Sequence, residues 1–271
     1  MMRMITRQRG FALLIVLWTL ALLALLGGQM LATARQDTRR AHNLLEAAQV
    51  EAAADGAIQL AIYRLLDRTN RHWSPDGTTH TVETGRASIA VRIMDEAEKV
   101  NPNIAAASLL RALLLQVGGD DATAGAVAAS IVEWRMASSL PGRAKAILAR
   151  YAAAGSGFGP SGAPFADIDE LAQVIGMTPE LLARLRPHLT VYTDDDSPAG
   201  RRTDIVVAQA LRAVGQVDEP ATEGPVALVS IFADVRGSDH ARYLARAVVR
   251  TNARPEGRRY DMLEYERLNS P

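Results

Sequence analysis

The sequence predicts an α+β protein: one long N-terminal helix, an antiparallel sheet, and a helical region inserted before the sheet closes. Three observations predict it. An apolar run from Phe11 to Ala32 continues without proline into an amphipathic stretch ending near Leu66. Residues 67–99 carry the clear β-signal of the first half, a partial alternation of apolar and polar side chains about a turn. Helical periodicity then fills the middle of the chain, and β-rich segments of strand length fill its last third.

At 271 residues the chain has room for one sizeable domain or two small ones. Its 30 basic residues balance 30 acidic ones, which excludes a nucleic-acid binder that works through bulk charge. Cysteine is absent, so neither a disulfide nor thiol chemistry contributes, although an oxidising compartment is permitted. Abundant alanine and only 5% aromatic residues favour helix.

No charge interrupts residues 11–32. As a helix this run is about 33 Å long at 1.5 Å per residue, enough to cross a hydrocarbon core of about 30 Å. A secretory signal has an apolar region of only about 7–15 residues, yet Ala32-Thr33-Ala34 resembles a signal-peptidase site and keeps that alternative open. Arg3, Arg7 and Arg9 before the span are matched by Arg35, Arg39 and Arg40 after it, so arginine counting does not orient it. Beyond the span, Ala41, Leu44, Leu45, Ala48, Ala52, Ile58, Ile62, Leu65 and Leu66 recur at helical spacing, with charges largely between them. One helix from Phe11 to about Leu66 is expected, its second half packing on a soluble domain.

"SPDG" at Ser74–Gly77 reads as a turn, and Val82, Ile89, Val91 and Ile93 as strand positions flanking a second turn near Gly85. "AAASLLRALLLQVG" and "ATAGAVAASIVEWRM" read as two helices, followed by a glycine-rich loop. "DIDELAQVIGMTPELLARLRPHL" reads as helix, turn at Gly176 and helix. Its start signals are Asp167 with Glu170, and Thr178-Pro179-Glu180. "DIVVAQALRAVG" is a further short helix, and "VALVSIFADV", "ARYLARAVVRTN" and "RRYDMLEYER" are strands.

A basic leader ending in Gly10, then Phe11 and an apolar helix that becomes amphipathic, resembles a type IV prepilin-type N-terminus. "RQDTRRAHNLLEAAQVEAAADGA", "IMDEAEKVNPNIAAASLL", "AASIVEW", "APFADIDELAQVIGMTPELLARLRPHLTVY" and "YLARAVVRTNARPEGRRYDMLEYER" occur in the order found in the type II secretion minor pseudopilin K family, general secretion pathway protein K. The resemblance covers nearly the whole chain. It implies a prepilin leader over 1–10, a transmembrane part of the N-terminal helix over 11–33 and an amphipathic part over 34–66. The first part of a pilin-like α/β domain then spans 67–99, an inserted α-domain 100–215, and C-terminal strands 216–271. It further implies a single-pass protein of the bacterial inner membrane with its C-terminal domain in the periplasm.

By the same resemblance a prepilin peptidase cuts between Gly10 and Phe11 and methylates the amine of Phe11. The implied partners are minor pseudopilins of the I and J types, with secreted cargo as a further contact. Most pilins carry glutamate five residues into the mature chain; here that position is Ile15, which marks a subunit at the filament tip. The sequence departs from the family where "EWRMASSLPG" lacks the usual aspartates and where "TDIVVAQALRAVG" replaces an asparagine-rich segment. A type IV minor pilin of a pilus or DNA-uptake system is the alternative.

No catalytic constellation is present, so no enzymatic activity is expected. His42, His72, His80, His188 and His240 are scattered and read as isolated surface residues. Asp194-Asp195-Asp196 is the candidate calcium site, because hard cations take several carboxylate oxygens; a solvated loop is the competing reading. The turn at Gly176 resembles a helix-hairpin-helix DNA module, the basis of a third reading as a membrane-tethered nucleic-acid binder. Asp167, Asp169, Glu170 and Glu180 around it would repel phosphate, so no nucleic acid is expected as a partner.

Overall fold

The computed structural model describes residues 8–84, 87–137, 142–157, 159–196, 198, 204–216, 228–238, 241–251 and 259–268. Most of the expected leader over residues 1–10, and His240, lie outside them. Helix α1 runs without a break over Gln8–Leu66. Among the fully described residues no helix is long and apolar enough to cross a membrane.

Five strands form one antiparallel sheet in the order β1-β2-β3-β4-β5. They are β1 (Asp76–Thr84), β2 (Ala87–Asp95), β3 (Leu228–Gly237), β4 (Arg242–Thr251) and β5 (Tyr260–Leu268). Alternation in β2, β3 and β4 puts Val91, Ile93, Ile231, Val235, Ala247 and Val249 on one face. Against that face α1 lays Val50, Ala54, Ala57, Ile58, Ala61, Ile62 and Leu65, spaced by three and four so that they share one side of the helix. The alanines among them let the helix axis approach the sheet closely. Tyr260 and Tyr265 of β5 donate hydroxyl hydrogen bonds to Gln59 Oε1 and Asp55 Oδ1 of α1.

The "SPDG" turn reading is corrected by the structure. Asp76 already belongs to β1, and Gly77 uses its left-handed φ of +79° where the β1–β2 register shifts between Asp76 and Thr79. The glycine supplies a bulge in a strand instead of a reversal.

β2 and β3 pair directly, from Ala87↔Gly237 to Asp95↔Val229, although some 130 residues separate those last two. All the remaining helices lie between them: α2 (Ala107–Gln116), α3 (Asp121–Met136), α4 (Ala144–Ala153), α5 (Pro179–Leu185) and α6 (Ile205–Ala213). They enclose their own apolar core, which includes Leu109, Leu113, Val127, Ile131, Trp134, Leu171, Leu185 and Leu211 and shares no buried residue with the sheet core. Trp134 packs with Tyr151 and Phe165 at ring-centroid distances of 5.8 and 6.0 Å. Asp120, Thr178 and Asp204 cap α3, α5 and α6 through side-chain oxygens.

Two helix readings need correction. Residues 168–173 form a 3-10 turn instead of an α-helix, which suits burial of Leu171 and Val174 three residues apart. α4 was not foreseen: its N-cap Arg143 makes no capping bond, and it buries chiefly Ile147 and Tyr151 in a run of alanines.

The segment Val100-Asn101-Pro102-Asn103 binds the helical region together. The Val100 N–H donates to the His188 carbonyl at 2.9 Å, and Thr190 N–H donates to the Val100 carbonyl at 3.0 Å. Asn101 Nδ2 donates to the Thr193 carbonyl at 2.6 Å. Asn103 makes a reciprocal pair with the backbone of buried Phe165, donating at 2.9 Å and accepting at 2.7 Å. Asn103→Ala should therefore cost about 2 kcal/mol by leaving both Phe165 backbone groups without that partner. Urea unfolding checks this, and an unchanged midpoint contradicts it.

Candidate functional site

Three regions carry the residues singled out by sequence. Gly10, Phe11 and Ile15 lie in the first turns of α1. Phe11 is 69% exposed and Ile15 48%, and Leu13, Leu14, Val16, Leu17 and Trp18 are exposed around them. Such a helix, apolar on every side with no protein covering it, needs lipid or other helices around it. Farther along, Leu44, Leu45 and Tyr63 are exposed on α1.

Asp194, Asp195 and Asp196 are all exposed on the loop after Tyr192. Among the described residues no group of three or more His, Asp or Glu converges to hold a metal. Adjacent carboxylates fanned into solvent do not fit the six-to-eight-oxygen shell calcium needs. The Gly176 turn faces inward, since a Cβ there would lie 3.0 Å from Val127 Cγ2. Arg186 is ion-paired with Asp169, and Arg184 Nε donates to its own helix at the Glu180 carbonyl. The two arginines that follow this turn thus already have protein partners.

The sequence reading missed the junction between the sheet and the inserted helices. Asp95 ends β2 and caps a 3-10 turn at Glu96–Glu98 by accepting from the Ala97 N–H. Glu96 is fully buried, ion-paired with Lys99, and 3.7 Å from Arg246 of β4. Arg246 also binds Glu264 of β5 at 3.1 Å, so one guanidinium ties two strands to the turn that starts the insertion. Burial alone would raise the Glu96 carboxyl; the Lys99 ammonium and its hydrogen bonds outweigh it and hold the group below the usual carboxylate range.

A second link joins His188 Nδ1 to Asp204 Oδ2 at 2.6 Å, while the Asp204 N–H donates to Glu98 Oε2. His188 is therefore a partnered, half-buried residue and not the isolated surface histidine expected. A single chain shows no mark for either link, because their partners lie 16 and 106 residues apart.

Beside this junction the outer sheet face and the inserted region enclose a cavity of about 440 Å³. A cross-strand row crosses its floor, Arg92↔Phe232↔Arg246↔Glu266. The two guanidiniums lie 5.6 and 6.0 Å from the Phe232 ring centroid.

Comparison with known proteins accounts for this architecture. Residues 89–194 match the family model of type II secretion system (T2SS), protein K. The matched stretch begins in β2, contains the buried Glu96–Lys99 pair and the asparagine segment, and ends at Asp194. The fold is similar to the crystal structure of the GspK-GspI-GspJ complex from the enterotoxigenic Escherichia coli type 2 secretion system. The TM-score is 0.56 at 16% identity, covering 88% of this chain and 99% of that one. A comparison with curated proteins gives no match.

The lowered carboxyl of Glu96 fixes a sign. Its contribution to stability is complete above the unfolded value near 4.5 and is lost as pH falls through the lower folded value. Glu96→Gln should destabilise by about 3 kcal/mol at neutral pH, because Lys99 is left buried without its counter-charge. The double change Glu96→Gln with Lys99→Met should recover much of that loss. Urea midpoints at pH 7 check both; a harmless single change contradicts the junction.

Proposed function

We propose that this chain is a non-enzymatic minor pseudopilin of the type II secretion system, standing at the tip of the periplasmic pseudopilus and initiating its assembly with I-type and J-type minor pseudopilins. The observation that carries the reading is the protein K domain set into the sheet between β2 and β3. In this reading a prepilin peptidase removes residues 1–10 and methylates Phe11. The apolar half of α1 then remains in the inner membrane, and the remainder of the chain lies in the periplasm. Contact with secreted cargo would follow from the tip position.

Ile15 supports the tip. A charged amine inside lipid costs about 2.5–3.5 kcal/mol unless a carboxylate neutralises it. A subunit with isoleucine in place of that glutamate offers no partner to an amine above it, and a tip subunit has none above. The helices inserted between β2 and β3 also add bulk that would obstruct stacking of another subunit. The type IV minor pilin remains the second reading, since it shares the N-terminal signature. The nucleic-acid reading is not supported by the partnered Arg184 and Arg186. Calcium at Asp194–Asp196 is left out of the proposal because those carboxylates do not converge.

Ile15→Glu tests the tip assignment. Restoring a carboxylate should let the subunit enter the filament shaft and lower export of secreted protein several-fold at equal protein level. The measurement is secreted activity in cells carrying the variant as their sole copy. Export equal to that of the original chain contradicts the tip.

A further inference from the structure

β5 is an edge strand: among the described residues nothing pairs with its outer side. An unpaired row of backbone N–H and C=O groups is a template for a further strand unless it is blunted. β5 runs nine residues without proline or glycine, and Met262, Leu263 and Tyr265 are exposed along it. Its charge is one-sided, with Asp261, Glu264 and Glu266 against Arg267.

The cavity adjoins this same edge, since Glu264, Glu266 and Leu268 of β5 line it. Between the charged residues its lining is apolar and aromatic, with Met94, Phe232, Leu189 and Val191. Among its charged groups, Arg186 is paired with Asp169, and Arg246 with Glu264 and Glu96. Arg92 rests on the Phe232 ring. Glu266 faces Arg246 in register and feels its charge, but the short ion pair of that guanidinium is with Glu264, and among the described residues none is formed with Glu266. Partial desolvation and the neighbouring Glu264, Asp167 and Asp169 push the Glu266 carboxyl up against the opposing pull of Arg246, so an added cation there is favoured. The carboxylates do not converge on a metal. An apolar lining with a carboxylate at the mouth suits a long basic side chain, whose stem is apolar and whose head is charged.

We propose that the outer edge of β5 and the cavity beside it form a docking site for an extended basic segment of a partner protein. The segment adds to the sheet through backbone hydrogen bonds and places an arginine or lysine side chain in the cavity beside Glu266. Main-chain pairing supplies affinity and the pocket supplies selection, as in other strand-addition sites. The inference rests on the assembly reading only in taking the partner to be a protein; peptide binding and protein export are separate readouts, so either can fail alone.

The test titrates the full-length protein in detergent micelles with a labelled peptide of alternating valine and arginine. Two comparison peptides are used, one with glutamate for arginine and one with alternate backbone nitrogens methylated. The alternating basic peptide should bind saturably, and both comparison peptides about tenfold or more weaker, since one loses the charge match and the other the ladder. Glu266→Gln, at an exposed position, should weaken the basic peptide about fivefold with an unchanged melting temperature, while Glu83→Gln on the opposite edge strand β1 leaves it unaltered. No saturable binding, equal binding of the methylated peptide, or no effect of Glu266→Gln overturns the proposal.

Discussion

The pairing of β2 with β3 is the constraint on which the rest of the structure depends. Asp95 and Val229 face each other in the ladder, so the chain leaves the sheet and returns to it at the same place. An insertion whose two ends are already neighbours can be long without disturbing its host, because closure entropy grows only slowly with loop length. The sheet keeps its own core against α1, and the inserted helices keep theirs around Trp134 and Leu113. Growth of the inserted helical region therefore requires no redesign of the α1–sheet packing.

Two separate cores leave open how one is held on the other, and the answer is polar. Glu96, Lys99 and Arg246 form a charged knot at the departure point, and Arg250 Nη2 reaches the Tyr192 carbonyl at 3.3 Å. Charges cost free energy when buried, yet they are directional where apolar contact is not, and a knot with matched partners fixes one docking angle. The same arrangement leaves the cavity between the outer sheet face and the insertion.

Much of this fold was legible in the sequence for identifiable reasons. The long helix was marked by its apolar run and by alanines and leucines at helical spacing; β2 was marked by partial alternation, β3 to β5 by β-rich composition between turn residues, and α5 by its Thr178-Pro179-Glu180 start. The failures have equally specific causes. α4 lacks a capping side chain, the 168–173 segment is too short for its period to separate a 3-10 turn from an α-helix, and Gly77 was read as a reversal because a bulge uses the same backbone conformation. Of the candidate residues, Gly10, Phe11 and Ile15 rest on a local motif. Glu96, Arg246, His188–Asp204 and the β5 cavity were missed because each is made by residues distant along the chain.

The proposed pseudopilin role depends on the claim that Phe11 begins a retained assembly helix. Mass spectrometry of the mature protein from its native membrane tests that claim most directly. The account predicts an N-terminus at Phe11 bearing one added methyl group. A mature chain beginning at Arg35 would mean the apolar run had been discarded as an export signal, and would contradict it.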